Sequence, residues 1–451
     1  MIVDSETSRI RAASVNSGRY SFAEADAKLL ATKLAIHVTE AAACSPAGQA
    51  ALLTCVATGS RCFGEVTVSG ALDHPLCVPL PVDATTLAQA ATILGGAVQA
   101  ADSAARMIFI GESTRATSRP WAVNTYWDRW KAGVTPAARP MPLGSGTIAL
   151  SGIAAGALAV GEAFLAEQGD LRAGRSAQLV SLWSHQSNPD DARGPETYAL
   201  PLELWLVGVG NLGQAFLWSL FFLPYAEPER VELFLQDDDR VRPENWGTSI
   251  LVQRGRYKAL KTRVAEEWAD RRGFRVRRID RRLDEHLRRA DGEPAIALAG
   301  LDRMPPRRLL DRPGFQHIID VGLGASAADY RKFRINAFSA AQTASRHFDG
   351  VEDDTRERIA QTIQLPAYQE LLNVYRLDDC GTAQLAGIAV AVPFVSAFAG
   401  AMAVTQVIRI ASGQAPYLGL TGWVGDLSTI RGALGRSPER LAFATAQTSR
   451  R

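Results

Sequence analysis

The residues best suited to chemistry begin at Gly208-Val209-Gly210-Asn211-Leu212-Gly213. They follow an apolar run, residues 202–207, and open a segment with a helical pattern. A strand, a glycine loop and a helix in that order let the backbone amides at a helix start face a phosphate. The first glycine permits the tight turn, the second lets the backbone approach the anion, and the third lets the helix pack on the strand. The loop alone does not say which nucleotide it holds. Asp237-Asp238-Asp239 follows the next predicted strand, residues 231–235, and an acid there can accept hydrogen bonds from ribose hydroxyls. To this point an NAD(P)-dependent oxidoreductase and an ATP-using enzyme fit equally well.

The residues further on favour ATP. Asn245 is followed by Gly255-x-x-Lys258-Ala259, and Asp302 stands just past an apolar strand, with Arg307 five residues beyond it. A lysine brings positive charge to a phosphate, an asparagine donates a hydrogen bond, and an aspartate holds magnesium. Nicotinamide binding leaves Asn245, Lys258 and Asp302 without a role.

On these residues, positions 202–410 resemble the ThiF/MoeB and ubiquitin-activating enzyme superfamily, whose members adenylate the C-terminal glycine of ubiquitin-like proteins. The resemblance implies ATP and Mg2+ as cofactors. It places Gly208, Gly210 and Gly213 in the nucleotide loop, with Asp237 and Asp239 beside the nucleotide and Asp237 at the ribose. Asn245 and Lys258 fall at the phosphates and Asp302 at the metal. Leu377-Asp378-Asp379-Cys380-Gly381, running into an apolar stretch, resembles the thioester region of autophagy-type activating enzymes and implies Cys380 as the acyl acceptor. A position just before a long helix lowers a thiol pKa, whereas Asp378 and Asp379 oppose a thiolate. The family's Asn-x-x-Arg reads Asn245-Trp246-Gly247-Thr248 here, so its arginine is missing, with Arg254 and Arg256 as candidate replacements. In the family an arginine from the partner half can reach the phosphates, which makes Arg9, Arg11 and Arg19 candidates. The implied partners are a ubiquitin-like protein and a conjugating, E2-like enzyme, with two-fold assembly as in relatives that dimerise. Bacterial conjugation operons, some antiviral, are the setting the resemblance suggests. Three other readings compete: adenylation of a sulfur carrier, a small carboxylate or a tRNA base without a thioester; an NAD(P)-dependent oxidoreductase; and a non-catalytic scaffold that binds a ubiquitin-like partner.

The elements that must position these residues repeat. Gly-Gln-Ala at residue 48 and at residue 213 each begin an apolar helix that leads to a β-rich segment, at an offset of 165 residues. Each half then reaches an apolar Ala/Gly-rich helix, residues 149–165, with Glu162 as its one charge, and residues 381–408, with none. The offset sets Gly208, Gly210 and Gly213 against Ala43, Ser45 and Gly48, and Asp237 against Leu72. The fold class expected is therefore α/β, with two Rossmann-like, doubly wound domains of ThiF type, the first degenerate. It resembles the inactive half of heterodimeric activating enzymes. The domains expected are 1–183, a polar linker 184–201, and 202–451. Within the second, strands are predicted at 275–279, 295–298 and 317–321, a helix at 258–271, and a crossing segment at 351–375. Strands alternating with helices predict a parallel sheet covered on both faces.

Composition narrows the classes. The chain has 451 residues, of which 47% are hydrophobic and 21% charged, an ordinary globular balance that argues against disorder. A net charge of +2 is too balanced for a dedicated nucleic-acid binder, and the arginines of 254–289 are interleaved with acids. Residues 381–408 carry no Asp, Glu or Lys and only Arg409 follows, long enough to span a bilayer. Their weak alanine hydrophobicity favours a buried helix and no membrane. No signal peptide is visible, and an odd count of five cysteines fits reduced thiols in a cytoplasm. Cys44, Cys55, Cys62 and Cys77 read as core residues, and the six histidines form no metal-binding pattern.

Overall fold

The structure, a computed structural model, describes residues 6–112, 121–184, 193–351, 355–373, 382, 386–387 and 389–435. In the first half the elements run α1 (Ser8–Val15), α2 (Phe22–Ala31), β1 (Lys33–Val38), α3 (Glu40–Ala43), α4 (Pro46–Cys62), β2 (Glu65–Gly70), α5 (Leu87–Ile93), β3 (Ala97–Val98), β4 (Arg106–Ile110), β5 (Ala122–Asp128), β6 (Lys131–Pro136), α6 (Ala149–Glu167) and β7 (Gln178–Ser181). In the second half come β8 (Glu203–Val207), α7 (Asn211–Phe221), β9 (Glu232–Gln236), α8 (Pro243–Trp246), α9 (Lys261–Arg272), β10 (Arg275–Ile279), β11 (Ile296–Ala299), α10 (Met304–Arg307), β12 (His317–Leu323) and β13 (Lys332–Phe338). They continue with α11 (Ala344–His347), α12 (Thr355–Ile363), α13 (Pro366–Asn373), α14 (Pro393–Ala411), β14 (Tyr417–Trp423) and β15 (Asp426–Leu434).

The two halves share one Rossmann-like α/β plan. The first sheet has the order β3-β2-β1-β4-β5-β6-β7 and the second β10-β9-β8-β11-β12-β13-β14-β15. Pairing is parallel through β5 and through β12, then antiparallel to the far edge. The wholly parallel sheet expected from the sequence is thus corrected at one side of each half. Short reversals force this: β5 turns into β6 at Arg129 (φ 53°), and β14 into β15 at Gly425 (φ 88°). A link that short can join only antiparallel strands.

The Gly-Gln-Ala repeat has a physical basis. Gly48 and Gly213 are each the third residue of their helix. A Cβ on Gly48 would lie 2.0 Å from the carbonyl oxygen of Ala42, and one on Gly213 would lie 2.1 Å from that of Gly208. Each helix therefore presses on the turn that precedes it. The adjacent glutamine then bolts that turn to the loop after the next strand. Gln49 donates from Nε2 to the carbonyls of Ala43 and Pro75, at 2.8 Å each, and accepts from the Cys77 amide. Gln214 accepts from the Leu251 amide at 3.0 Å and donates to the Val209 carbonyl at 3.4 Å.

Between the sheets lies a layer of four helices, with α4 on α6, α6 on α14, and α14 on α7. The Ala/Gly content of α6 and α14 serves close approach. A Cβ on Gly152 or Gly156 would stand 1.9 Å or 2.5 Å from the carbonyl oxygen of Ala47 or Ala51 on α4, and one on Gly400 2.8 Å from that of Ala215 on α7. Both α6 and α14 are long and apolar enough to cross a membrane, yet almost all of each is buried inside the molecule. Across the layer, Trp218 Nε1 donates to Thr54 Oγ1 at 3.0 Å.

Residues 6–31 reach beyond the expected unit 1–183, although Ser14 still donates to Gln168 at 3.1 Å. The helices α1 and α2 share an apolar cluster with α12 and α13, through Val15, Ala25, Ala367 and Tyr368. Tyr368 donates its hydroxyl to Asn16 Oδ1 at 2.7 Å, and Glu6 accepts from Arg254 Nε at 2.8 Å and from the Tyr257 hydroxyl. Within the crossing segment predicted at 351–375, α12 and α13 thus form the bed for residues 6–31.

Two outcomes follow from this packing. Gly152→Ala must push α6 away from α4 and should cost about 1–3 kcal/mol in urea unfolding, whereas Gly419→Ala, with open space around the new Cβ, should change little. Glu162 on α6 is buried, which pushes its carboxyl up to about 7, against the Gly174 amide, which donates to it at 2.6 Å. A raised carboxyl binds more protons folded than unfolded, so its contribution is complete below pH 4.5 and is lost as pH climbs to about 7. Glu162→Gln should flatten that part of the stability–pH curve.

Candidate functional site

The loop after β8 is built for close approach. Gly208 has φ 87°, and its amide donates to the Gln236 carbonyl at 2.9 Å. Gly210 caps α7, and among the described residues only an ammonium, Lys261 Nζ at 4.0 Å, comes near the place where its Cβ would stand. Leu206 and Val207 of β8 pair with Leu298 and Ala299 of β11, so Gly210 and Asp302, each three residues beyond that last pair, leave the sheet side by side. Gly300 supports this corner, because a Cβ there would stand 2.7 Å from Leu212 Cβ.

The acidic triplet closes one side. Asp237 accepts from the Val209 amide at 2.7 Å and from the Asp239 amide at 2.8 Å. Burial raises its carboxyl, opposed by the Lys261 ammonium and those two amides. Asp239 bonds Lys261 Nζ at 2.8 Å. Burial acts to raise the Asp239 carboxyl too, but the bonded ammonium outweighs it and holds the group below the usual carboxylate range. Asp238 pairs with Arg282 at 2.8 Å. Carboxylate oxygens of all three aspartates lie within 4.8 Å of one another.

The structure does not bring every predicted residue together. Lys258 is exposed in a left-handed turn (φ 72°), its amide donating to Val241 and its carbonyl accepting from Arg240. The ammonium facing Gly210 belongs to Lys261, the first residue of α9. The left-handed turns at Gly255 and Lys258 lengthen the loop and delay the helix that was predicted from residue 258. Asn245 is buried in α8, where its Oδ1 accepts from the Arg242 amide at 2.9 Å. Arg254 lies 4.0 Å over the Trp246 ring and pairs with Glu6, and Arg256 pairs with Glu267. Neither fills the place of the missing family arginine, where Thr248 is buried. Cys380 lies outside the described residues.

Arg9 is one of three early arginines that the sequence offers as candidates. In the fold α1 carries it toward Glu244 and Asp302. Burial lowers its pKa, those two carboxylates raise it, and Arg242 lowers it. Arg11 instead bonds Asp26 at 2.8 Å, and Arg19 is exposed. Among the described residues, Arg9 Nε, Glu244 Oε2 and Asn211 Oδ1 are buried without a hydrogen-bond partner. Unpaired buried polar atoms are costly, and here they belong to elements that border the glycine loop.

The first half holds residues 246–252, to which Gln214 ties the glycine loop, from behind. Arg61 of α4 donates to the carbonyls of Trp246 (3.0 Å), Ile250 (2.9 Å) and Val252 (3.1 Å). Burial lowers its pKa to about 10, so it stays charged at neutrality. No motif in the sequence marked Arg61, because its partners are backbone oxygens some 185 residues away.

A Rossmann-like half with a glycine loop, joined to a like half without one, defines the class of protein: a two-domain α/β fold of the kind seen in activating enzymes. Comparison adds the family. Residues 33–182 match the BilD N-terminal domain and residues 200–414 the BilD C-terminal domain. The chain is 34% identical over 446 residues to the bacterial E1-like protein BilD of Collimonas sp. (strain OK412), covering 96% of this chain and 94% of that one. It belongs to the BilD family of bacterial E1-like proteins. Among solved structures it is similar to E. coli MccB with MccA (16% identity, TM-score 0.33, 52% of this chain and 65% of that one). It is also similar to E. coli MccB with MccA-N7isoASN (13%, TM-score 0.36, 70% and 96%) and to PaaA (13%, TM-score 0.31, 52% and 72%).

Arg61→Ala strands three buried carbonyls at roughly 1–3 kcal/mol each. It should lower stability by about 3 kcal/mol or more in denaturant unfolding. Arg61→Lys should rescue little, since one ammonium cannot reproduce the guanidinium fork.

Proposed function

We propose that the second half binds ATP over the loop from Gly208 to Gly213 and adenylates the C-terminal glycine of a ubiquitin-like protein. The observation that carries this reading is the Lys261 ammonium set over Gly210 at the start of a helix, where a phosphate would lie. Arg9 supplies a second cation, from the other end of the chain, and Asp237 stands where a ribose would meet the strand end. The unpaired Arg9 Nε and Asn211 Oδ1 are one donor and one acceptor suited to a polar ligand. Asp302, exposed beside the loop, is a hard oxygen donor of the type Mg2+ takes. It would hold the ion, which supplies positive charge beside the phosphates.

The chemistry is electrostatic at heart. A carboxylate oxygen of the partner's tail attacks the α-phosphorus of ATP, a new P–O bond forms, and the bond to pyrophosphate breaks. Two anions must meet, so fixed cations lower the barrier most. Lys261 and Arg9 offset the charge of the phosphates. The backbone amides at the start of α7 add their partial charge at no cost in reorganisation. Cys380 is the proposed acceptor of the acyl group as a thioester, and an E2-like enzyme the proposed next carrier. Two-fold assembly and a cytoplasmic location complete the proposal.

The test is ATP–pyrophosphate exchange with the ubiquitin-like partner. Lys261→Ala should lower exchange a hundredfold or more, the usual effect of removing one such charge. Arg9→Ala should lower it while leaving unfolding unchanged. Lys258→Ala should retain exchange. Loss in Lys258→Ala with retention in Lys261→Ala would overturn the assignment of the phosphate-facing lysine.

A further inference from the structure

In the first half, the place of the glycine loop is taken by α3 and by Cys44-Ser45 ahead of α4. The sequence assigned Cys44 and Cys77 to the core, but both are exposed, while Cys55 and Cys62 are buried as expected. Cys44 Sγ lies 3.7 Å from His74 Nδ1, and His74 Nε2 lies 2.5 Å from Glu40 Oε1. Both ring nitrogens are therefore engaged, one by a thiol and one by a carboxylate. A carboxylate can only accept, so Nε2 carries the hydrogen and Nδ1 presents its lone pair to the thiol. That is the order nucleophile, base, orienting group.

The arrangement is built rather than incidental to loose loops. Gln49, 1% exposed, donates to the carbonyls of Ala43 and Pro75, the neighbours of Cys44 and His74, and so ties the two loops at their reactive residues. Gly146 closes from above, since a Cβ there would lie 2.8 Å from Ser45 Oγ, and its carbonyl accepts from the Ala47 amide. The cluster is far from the nucleotide loop's support. Cys44 precedes the start of α4, whereas Arg61, which grips residues 246–252, sits at its end, about 25 Å away along 17 residues of helix.

We propose that Cys44, His74 and Glu40 form a second reactive site, independent of the nucleotide loop, that accepts an acyl group from a thioester. His74 Nδ1 takes the Cys44 proton, and Sγ attacks the carbonyl carbon. A new C–S bond forms to Cys44 while the C–S bond to the departing thiol breaks. The proton on Nδ1 passes to that leaving thiolate, so the exchange balances without an oxidant or a nucleotide. Glu40 acts as a positioning residue, through the tautomer and orientation of His74.

The experiment incubates the full chain, without ATP, with S-acetyl-N-acetylcysteamine and reads adducts by intact mass and peptide mapping. One acetyl group on Cys44 is expected, formed faster than on Cys77, and absent in Cys44→Ser. His74→Ala should slow it about a hundredfold or more, the usual contribution of a general base, and its rate should then climb with pH as for a plain thiol. Glu40→Gln should slow it less and keep the wild-type pH profile. Cys77→Ser should leave it unchanged. Because the pH profile of the unmodified chain is itself a readout, the test survives a variant that folds poorly. Acylation of Cys44 no faster than of Cys77 would overturn the proposal. So would stoichiometric Zn2+ binding that blocks acylation of the chain as purified and is lost in all three variants, since the cluster would then be a metal site. The nucleotide reading fails separately, on exchange in Lys261→Ala.

Discussion

The distance between helix backbones is the constraint on which this molecule rests. Glycines on α6 and α14 sit where any side chain would strike a carbonyl of α4 or α7. Small residues let the four helices approach until backbone meets backbone. Dispersion contacts at that range are individually slight but numerous. The sheets can then lie on either side of one thin layer, and the turns ahead of α4 and α7 are held at fixed depth. A chain with leucine at those positions would be more hydrophobic and worse packed.

From that shared frame the two halves diverge. Each keeps the pressing glycine and the bolting glutamine at the start of its first long helix. The second half leaves the turn open at Gly210, under the Lys261 ammonium. The first half fills it with a turn of helix and exposes a thiol. The frame is neutral with respect to chemistry, as common folds are, and what differs is which side chains the same bolt brings together. Gln214 steadies a loop of amides, while Gln49 steadies a cysteine against a histidine.

Much of this was legible in the residues. Apolar runs marked β8, β9, β11 and β12 to within a residue or two, because buried parallel strands read as continuous hydrophobic stretches, whereas no such run singled out β13 to β15. The glycine loop was legible because its glycines answer to local geometry. That the ammonium facing Gly210 is the one on Lys261 was not legible, since left-handed turns at Gly255 and Lys258 delay the start of α9. Arg9 and Arg61 act across most of the chain on groups that carry no pattern of their own. The antiparallel edges were missed for a similar reason: the reversal at Arg129 uses a non-glycine residue with positive φ.

The arm formed by residues 6–31 has a consequence for how such a chain could arise or be divided. It starts upstream of the first sheet yet lies on α12 and α13, and it brings Arg9 to the edge of the other half's loop. Fission of the gene between the sheets would yield two polypeptides, one carrying Arg9 and the other the Glu244 and Asp302 carboxylates that act on it. They would have to complement one another to work. Fusion therefore keeps a guanidinium at high local concentration, where separate subunits would have to find each other first.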